Sequence, residues 1–199
     1  LGRVIVVSII AGFGTVQIAA NGVANSLDSM GCIVGQAMNL AMITVIGRCV
    51  GAGDSGQVRH YTKKLLKITY VCTFVVNSII LLCLPWILKC YGLSPETTQL
   101  SYILVMIHNG MAMFLWPASF VLPNMLRACN DVRFTMVLSI FSMFMFRIGF
   151  SYIIGVNMGY GAIGVWIAMV LDWIFRVICF VSRYLSGHWL KTAELKDNR

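Results

Sequence analysis

The stretch "VIGRCVGAGDSGQVRHYTKKLLKI", residues 45–68, changes character in its middle. To its left an apolar run reaches back toward Gln17 with hardly a charge. Gly51-Ala52-Gly53-Asp54 interrupts it, and Arg59, His60, Lys63, Lys64 and Lys67 follow. Gly51 and Gly53 tolerate positive φ and so end a helix. Asp54 is expected to cap the next one, with Gln57 reaching back as the other half of a capping box. An apolar rod, a sharp break and a basic foot, in that order, describe two membrane helices joined on the cytoplasmic side, where Lys and Arg gather.

Composition agrees with that reading. The 199 residues are 59% hydrophobic and only 11% charged, with a mean hydropathy of +0.83. A soluble domain carries about a quarter charged residues, so this chain lacks the polar surface to face water all round. The expected fold class is all-α, a polytopic membrane protein. Seven cysteines (Cys32, Cys49, Cys72, Cys83, Cys90, Cys129 and Cys179) sit in or beside apolar runs without C-x-x-C spacing. They read as small apolar filler rather than a disulfide framework or zinc site. No nucleophile–base pair, phosphate loop or metal-ligand spacing occurs, so neither an enzyme nor a bound cofactor is expected.

A membrane-crossing helix needs about twenty residues. The expected spans are 1–14, 17–50, 57–88, 97–126, 132–156 and 161–185. The first is short. Arg3 followed by "VIVVSIIAGFG" imitates a signal peptide, but with membrane segments throughout, it reads as the remainder of a truncated helix. Ser94-Pro95-Glu96 places a cap and then Pro at the first helical position. Cys129-Asn130-Asp131 reads as another turn and cap, and "NMGYGAIG" (157–164) as a short loop. The organisation expected is a bundle over 1–186 and a cytoplasmic tail over 187–199.

Charge sets the orientation. Arg48, Arg59, Lys63, Lys64, Lys67, Arg127, Arg133, Arg183, Lys191, Lys196 and Arg199 all fall on one side, against Lys89 on the other. The basic loops and the tail are therefore expected in the cytoplasm. Arg59, Lys63 and Lys67 recur at i, i+4 and i+8, a stripe suited to anionic headgroups. That accounts for the charge without nucleic-acid binding.

Polar residues inside the spans need a reason. Gln17, Asn21, Asn25, Asp28, Gln36 and Asn39 fall within about a 100° arc of one helix at 100° per residue. Such a stripe faces either a wet cavity or a partner helix that it holds by hydrogen bonds. Gly31 and Gly35 supply the small-xxx-small spacing that lets helices approach closely. Counting about 1.5 Å per residue, Asp28, His108, Arg147 and Asp172 all lie about 14–17 Å deep, near the midplane of a ~30 Å core. Arg147 and Asp172, on adjacent antiparallel helices, are expected to pair, with Arg176 competing from one turn away. This group reads as a structural ion pair or as part of an ion pathway. His108 reads as a packing residue or a proton carrier, and Trp116 joins the candidate cavity lining. Pro117 and Pro123 are expected to bend their helix.

Four phrases in this order and spacing resemble one family: "GFGTVQIAANGVANS" (12–26), "IGRCVGAGD" (46–54), "LRACNDVRF" (126–134) and "GAIGVWIAMVLDWIFR" (161–176). The chain resembles the C-terminal six-helix half of the multidrug and toxic compound extrusion transporters. The resemblance implies half of a twelve-helix secondary transporter in a cell membrane, the bacterial inner or plasma membrane. It implies a small-molecule substrate, efflux of drugs, organic cations or metabolites, and antiport with sodium ions or protons. It also implies a missing N-terminal half as partner, with membrane lipids around both. Two alternatives stay open: a lipid-linked sugar flippase of related architecture, and a membrane interaction module without transport. The chain departs from the family pattern at Arg48, where Gln is frequent, and at Asn130, where Gly is common. Some members carry an acidic coupling residue in the helix matching 97–126. Here the acid nearest that helix is Glu96, at its outer edge.

Overall fold

The computed structural model describes residues 2–195. Lys196 and Arg199 of the expected basic tail, and the first residue of the opening span, lie outside the described residues. The chain runs as α1 (Gly2–Ala11), α2 (Thr15–Gly31), α3 (Ile33–Gly51), α4 (Ser55–Cys90), α5 (Pro95–Trp116), a π-helical turn (Pro117–Val121), α6 (Leu122–Ala128), α7 (Val132–Ser142), a π-helical segment (Met143–Asn157), α8 (Gly161–Leu185) and α9 (His188–Thr192). No strand occurs among the described residues. Among the described residues, five stretches are long and apolar enough to cross a membrane: Ile33–Gly51, Ser55–Cys90, Pro95–Ala128, Val132–Asn157 and Gly161–Leu185. Phe74, Leu82, Trp86, Phe141 and Ile178 point their apolar bulk outward, as a lipid-facing surface requires. The chain is an all-α, multi-pass membrane protein.

The caps behave as the sequence chemistry demands, with two corrections. Asp54 accepts from the Gln57 backbone N–H at 3.0 Å, and Ser94 from that of Thr97 at 3.3 Å. The second half of the box at Asp54 is replaced, because the Asp54 N–H goes to the Cys49 carbonyl at 3.2 Å. The turn at Cys129–Asp131 forms with Asn130 at φ 63°, a left-handed conformation that Asn tolerates. Asp131 makes no side-chain cap. Its carboxylate takes Arg183 through two hydrogen bonds of 2.8 and 3.2 Å, a charged fork that outcompetes a neutral backbone donor. Beside it, burial and the Asp131 charge push the Cys129 thiol up to about 12, so it stays protonated at neutral pH.

The expected span over 17–50 is two helices interrupted at Cys32. The ladder hydrogen bonds continue across the break, from the Cys32 N–H to Asp28 O at 2.9 Å and from the Gln36 N–H to Cys32 O at 3.0 Å. What disturbs it is a side chain: Asn77 Nδ2 on α4 donates to the Gly31 carbonyl at 3.2 Å. A side chain inserted into the ladder is a recognised cause of helix kinks. Only glycine fits there, since a Cβ on Gly31 would lie 2.4 Å from Asn77 Oδ1. One turn on, a Cβ on Gly35 would lie 1.9 Å from the Trp116 ring. The small-residue spacing therefore brings α2 and α3 against α4 and α5. Gly35→Leu is expected to lower stability by about 1–3 kcal/mol through overpacking; a thermal melt in detergent unchanged from wild type would contradict this contact.

The long helix after Pro95 changes its winding at the first of its two inner prolines. Pro117 cannot donate to the preceding turn, and the winding loosens there to i→i+5 bonding, with the Leu122 N–H reaching Pro117 O. After Ser186, Gly187 at φ +69° turns the chain back on itself. The stretch expected as a tail therefore partly joins the bundle: Trp189 and Leu190 of α9 are buried.

Two apolar clusters fill the interior. One holds Val58, Met125, Phe180 and Trp189, the other Ile10, Leu84, Leu104 and Trp166. On several helices a polar residue separates them. Asp28 lies between Leu27 of the second cluster and Cys32 of the first. His108 and Asn109 lie between Val105 and Ala112, and Asp172 between Met169 and Trp173. At about 54 Å, α4 outreaches a ~30 Å hydrocarbon core, so its ends emerge on opposite sides. In a cysteine-free background, Glu96→Cys is expected to react with an impermeant maleimide from outside the cell and Ala52→Cys only after permeabilisation. Labelling of both from outside would contradict the charge-based orientation.

Candidate substrate and ion site

The polar layer divides in two. The first part opens into a cavity of about 330 Å³, to which α2, α3 and the break between them contribute Asn25, Asp28, Cys32 and Gln36. Trp116 closes one wall and Arg147 enters from the π-helical segment. Asp28 keeps a quarter of its side chain accessible, and its Oδ1 lies 2.9 Å from His108 Nδ1. The Cys32 thiol donates to the same oxygen at 3.4 Å. His108 is held in place by rings: Trp166 meets it edge-on at 4.5 Å and Trp173 lies at 4.4 Å. A carboxylate that faces a cavity in front and an imidazole behind can exchange its partner without unfolding anything.

The remainder of the stripe holds helices together. Gln17 Oε1 accepts from the Ala162 N–H at 3.0 Å, and Asn21 Oδ1 from Trp166 Nε1 at 3.0 Å. Both tie α2 to the start of α8. Asn39 Oδ1 accepts from Asn124 Nδ2 at 2.9 Å, and Asn124 Oδ1 from Arg127 at 3.0 Å. Cavity and glue are thus both present on one stripe, separated along its length.

The second part of the layer is closed. Asp172 is fully buried. Its Oδ1 accepts from Arg176 Nε at 3.0 Å and from the Ser142 hydroxyl. Arg176 also donates to Ser139 O at 3.2 Å and lies over the Phe120 ring at 5.5 Å. The expected pairing of Arg147 with Asp172 is therefore corrected: the competitor one turn away holds the carboxylate. Arg147 Nη2 contacts Met169 Sδ at 2.9 Å, on the cavity side.

Sequence reasoning passed over Asn77 and Asn109, both fully buried. Asn109 Nδ2 donates to Asn77 Oδ1 at 2.9 Å, and Asn77 also reaches Thr73 O at 2.8 Å. This amide pair packs against Gly31, beside the break at Cys32. A lone amide in the run "FVVNSIILL" (74–82) was the available signal, since intramembrane polarity is costly.

A family model described as MatE matches residues 1–153. The chain belongs to the MatE family. The match covers α1 to α7 and most of the π-helical segment that carries Arg147. The MatE chain is also 23% identical over 94% of its length to a Thermotoga maritima protein named "Probable multidrug resistance protein NorM". It is 22% identical over 91% to one of the same name from Agrobacterium fabrum. It is 21% identical over 96% to "Uncharacterized transporter YisQ" of Bacillus subtilis. It covers 40–42% of the length of these relatives.

Proposed function

We propose that this chain is one lobe of a secondary transporter that exports organic cations in exchange for protons, and that Asp28 is where the two compete. The observation that carries this reading is the Asp28–His108 contact at the wall of an open polar cavity. The names of the relatives, a probable multidrug resistance protein and an uncharacterized transporter, fit it. At about 330 Å³ the cavity falls in the usual range for small-molecule sites.

The neighbours of the carboxylate favour a proton over sodium. Sodium is a hard cation that takes oxygen ligands, as calcium and magnesium do. In direct contact with the Asp28 carboxylate are an imidazole and a thiol. Asn25, Ser29 and Gln36 bring oxygens to the same cavity wall, but Arg147 faces them with a fixed positive charge. A proton needs only one carboxylate oxygen. An arriving organic cation pairs with ionised Asp28, and protonation removes that attraction while Arg147 keeps its positive charge in the cavity. Loading with a proton and loading with substrate then exclude each other, which is the condition for antiport.

A central cleft needs two walls, and this lobe supplies one; the N-terminal half supplies the other. The test is efflux of a cationic dye from vesicles holding this chain joined to its partner half, under an imposed pH gradient or an imposed sodium gradient. The expected result is proton-driven efflux, absent with this chain alone. Efflux driven by sodium alone would overturn the proton assignment, and gradient-driven efflux by this chain alone would overturn the two-lobe reading.

A further inference from the structure

At the basic end of the bundle, a groove of about 140 Å³ lies between the foot of α4 and the turn into α9. Arg59 and Lys63, one helical turn apart, form one side; Tyr184 and Trp189 form the other. The aromatic side is packed and hydrogen-bonded. Trp189 is 1% exposed, its Nε1 donates to Tyr184 O at 3.2 Å, and the two rings stack at 6.2 Å with planes 7° apart. The Arg59 guanidinium lies 5.6 Å from the Trp189 ring centroid. Lys63 is exposed. Among the described residues, no acidic side chain lines the groove. At the lip, Leu185 is 73% exposed.

We propose that this groove binds the phosphate of an anionic glycerophospholipid. Arg59 and Lys63 take the phosphate oxygens through charge-assisted hydrogen bonds. Stacked aromatics at the end of a membrane helix sit at headgroup level, where their amphipathic rings are favoured. The groove is smaller than the usual ~300–1,000 Å³ of a small-molecule site, which suits a headgroup and not a drug. Exposed Leu185 decides between a lipid and a free anion, because only a lipid brings an acyl chain to lie along it. The site is separate from the cavity at Asp28 and does not depend on the transport reading.

The experiment titrates the protein in detergent micelles with dioctanoyl phosphatidylglycerol, dioctanoyl phosphatidylcholine or inorganic phosphate, reading bound lipid by native mass spectrometry and the melting temperature in parallel. Phosphatidylglycerol is expected to bind and raise the melting temperature, with phosphatidylcholine and phosphate each weaker. Removing one basic contact, in Lys63→Gln or Arg59→Gln, is expected to weaken phosphatidylglycerol about fivefold, whereas Lys67→Gln, one turn outside the groove, leaves it nearly unchanged. Lys63 is exposed, so its variant tests the site without threatening the fold. Equal binding of the two lipids, an unchanged affinity in Lys63→Gln, or phosphate binding as tightly as phosphatidylglycerol would each overturn the proposal.

Discussion

Asp172→Ala is expected to destabilise the bundle by about 3–5 kcal/mol, the usual cost of leaving one member of a buried ion pair without the other. Asp172 is fully buried, and Arg176 is 9% exposed. Without the carboxylate, Arg176 keeps its hydrogen bond to Ser139 O at 3.2 Å and its place over Phe120, but its charge is uncompensated. Asp172→Asn together with Arg176→Met removes both charges and is expected to recover most of the loss, since apolar replacement of a whole buried pair is often neutral. Arg147→Met combined with Asp172→Ala is expected to be additive within about 0.3–0.5 kcal/mol, because Arg176 and Ser142 hold the Asp172 carboxylate while Arg147 reaches Met169 on the cavity side. The measurement is a double-mutant cycle on thermal stability in detergent. Strong coupling between Arg147 and Asp172 would show that the pairing described here is wrong.

The second large effect is functional. Asp28→Asn is close in size and keeps an oxygen facing His108, so folding should survive. Ion-coupled efflux should not. Coupling free energies between ligands are typically about 1–3 kcal/mol, or about 5–150-fold, and removing the shared carboxylate removes that whole factor. In vesicles with both lobes, Asp28→Asn is expected to abolish efflux driven by a pH gradient while the variant still binds dye. His108→Gln tests the imidazole separately. It leaves the carboxylate available to protons and is expected to shift the pH at which efflux is half-maximal rather than abolish it. A variant at Asp28 that pumps like wild type, with an unchanged melting temperature, would remove Asp28 from the mechanism.

Much of this architecture could be read before any coordinates. Apolar length, the Gly51–Asp54 break and the bias of Lys and Arg gave the helices, their order and their expected orientation. The depth count put Asp28, His108 and Asp172 in a shared layer, and the structure sets each of them at the boundary between the two apolar clusters. Depth carries no azimuth, however. The depth count assigns Arg147 no direction, and Arg147 lies in a π-helical segment of 15 residues. Wider i→i+5 winding changes which way each side chain points, and Arg147 turns toward Met169 and the cavity. Arg176, on the regular α8, followed the i, i+4 rule and took Asp172.

The break at Cys32 was hidden for a similar reason. Nothing in the apolar run over 17–50 marks the break, because the side chain that meets it is Asn77, 46 residues beyond Gly31. The missing acid on the helix after Pro95 has an equally non-local answer. That helix contributes His108, and the carboxylate comes to it from α2. A pattern search along one helix cannot find a pair assembled from two.

The most direct test of the shared-carboxylate account is the affinity of a cationic dye for the two-lobe protein in detergent, measured across pH in wild type and in Asp28→Asn. Protonating Asp28 removes the negative charge that the dye needs, so wild-type affinity is expected to fall as pH is lowered, approaching about tenfold per pH unit if one proton is exchanged for one dye. Asp28→Asn is expected to bind more weakly at high pH and to show no such slope. A wild-type affinity that stays flat with pH but responds to sodium, or an Asp28→Asn variant that keeps the wild-type slope, would contradict the claim that proton and substrate compete for Asp28.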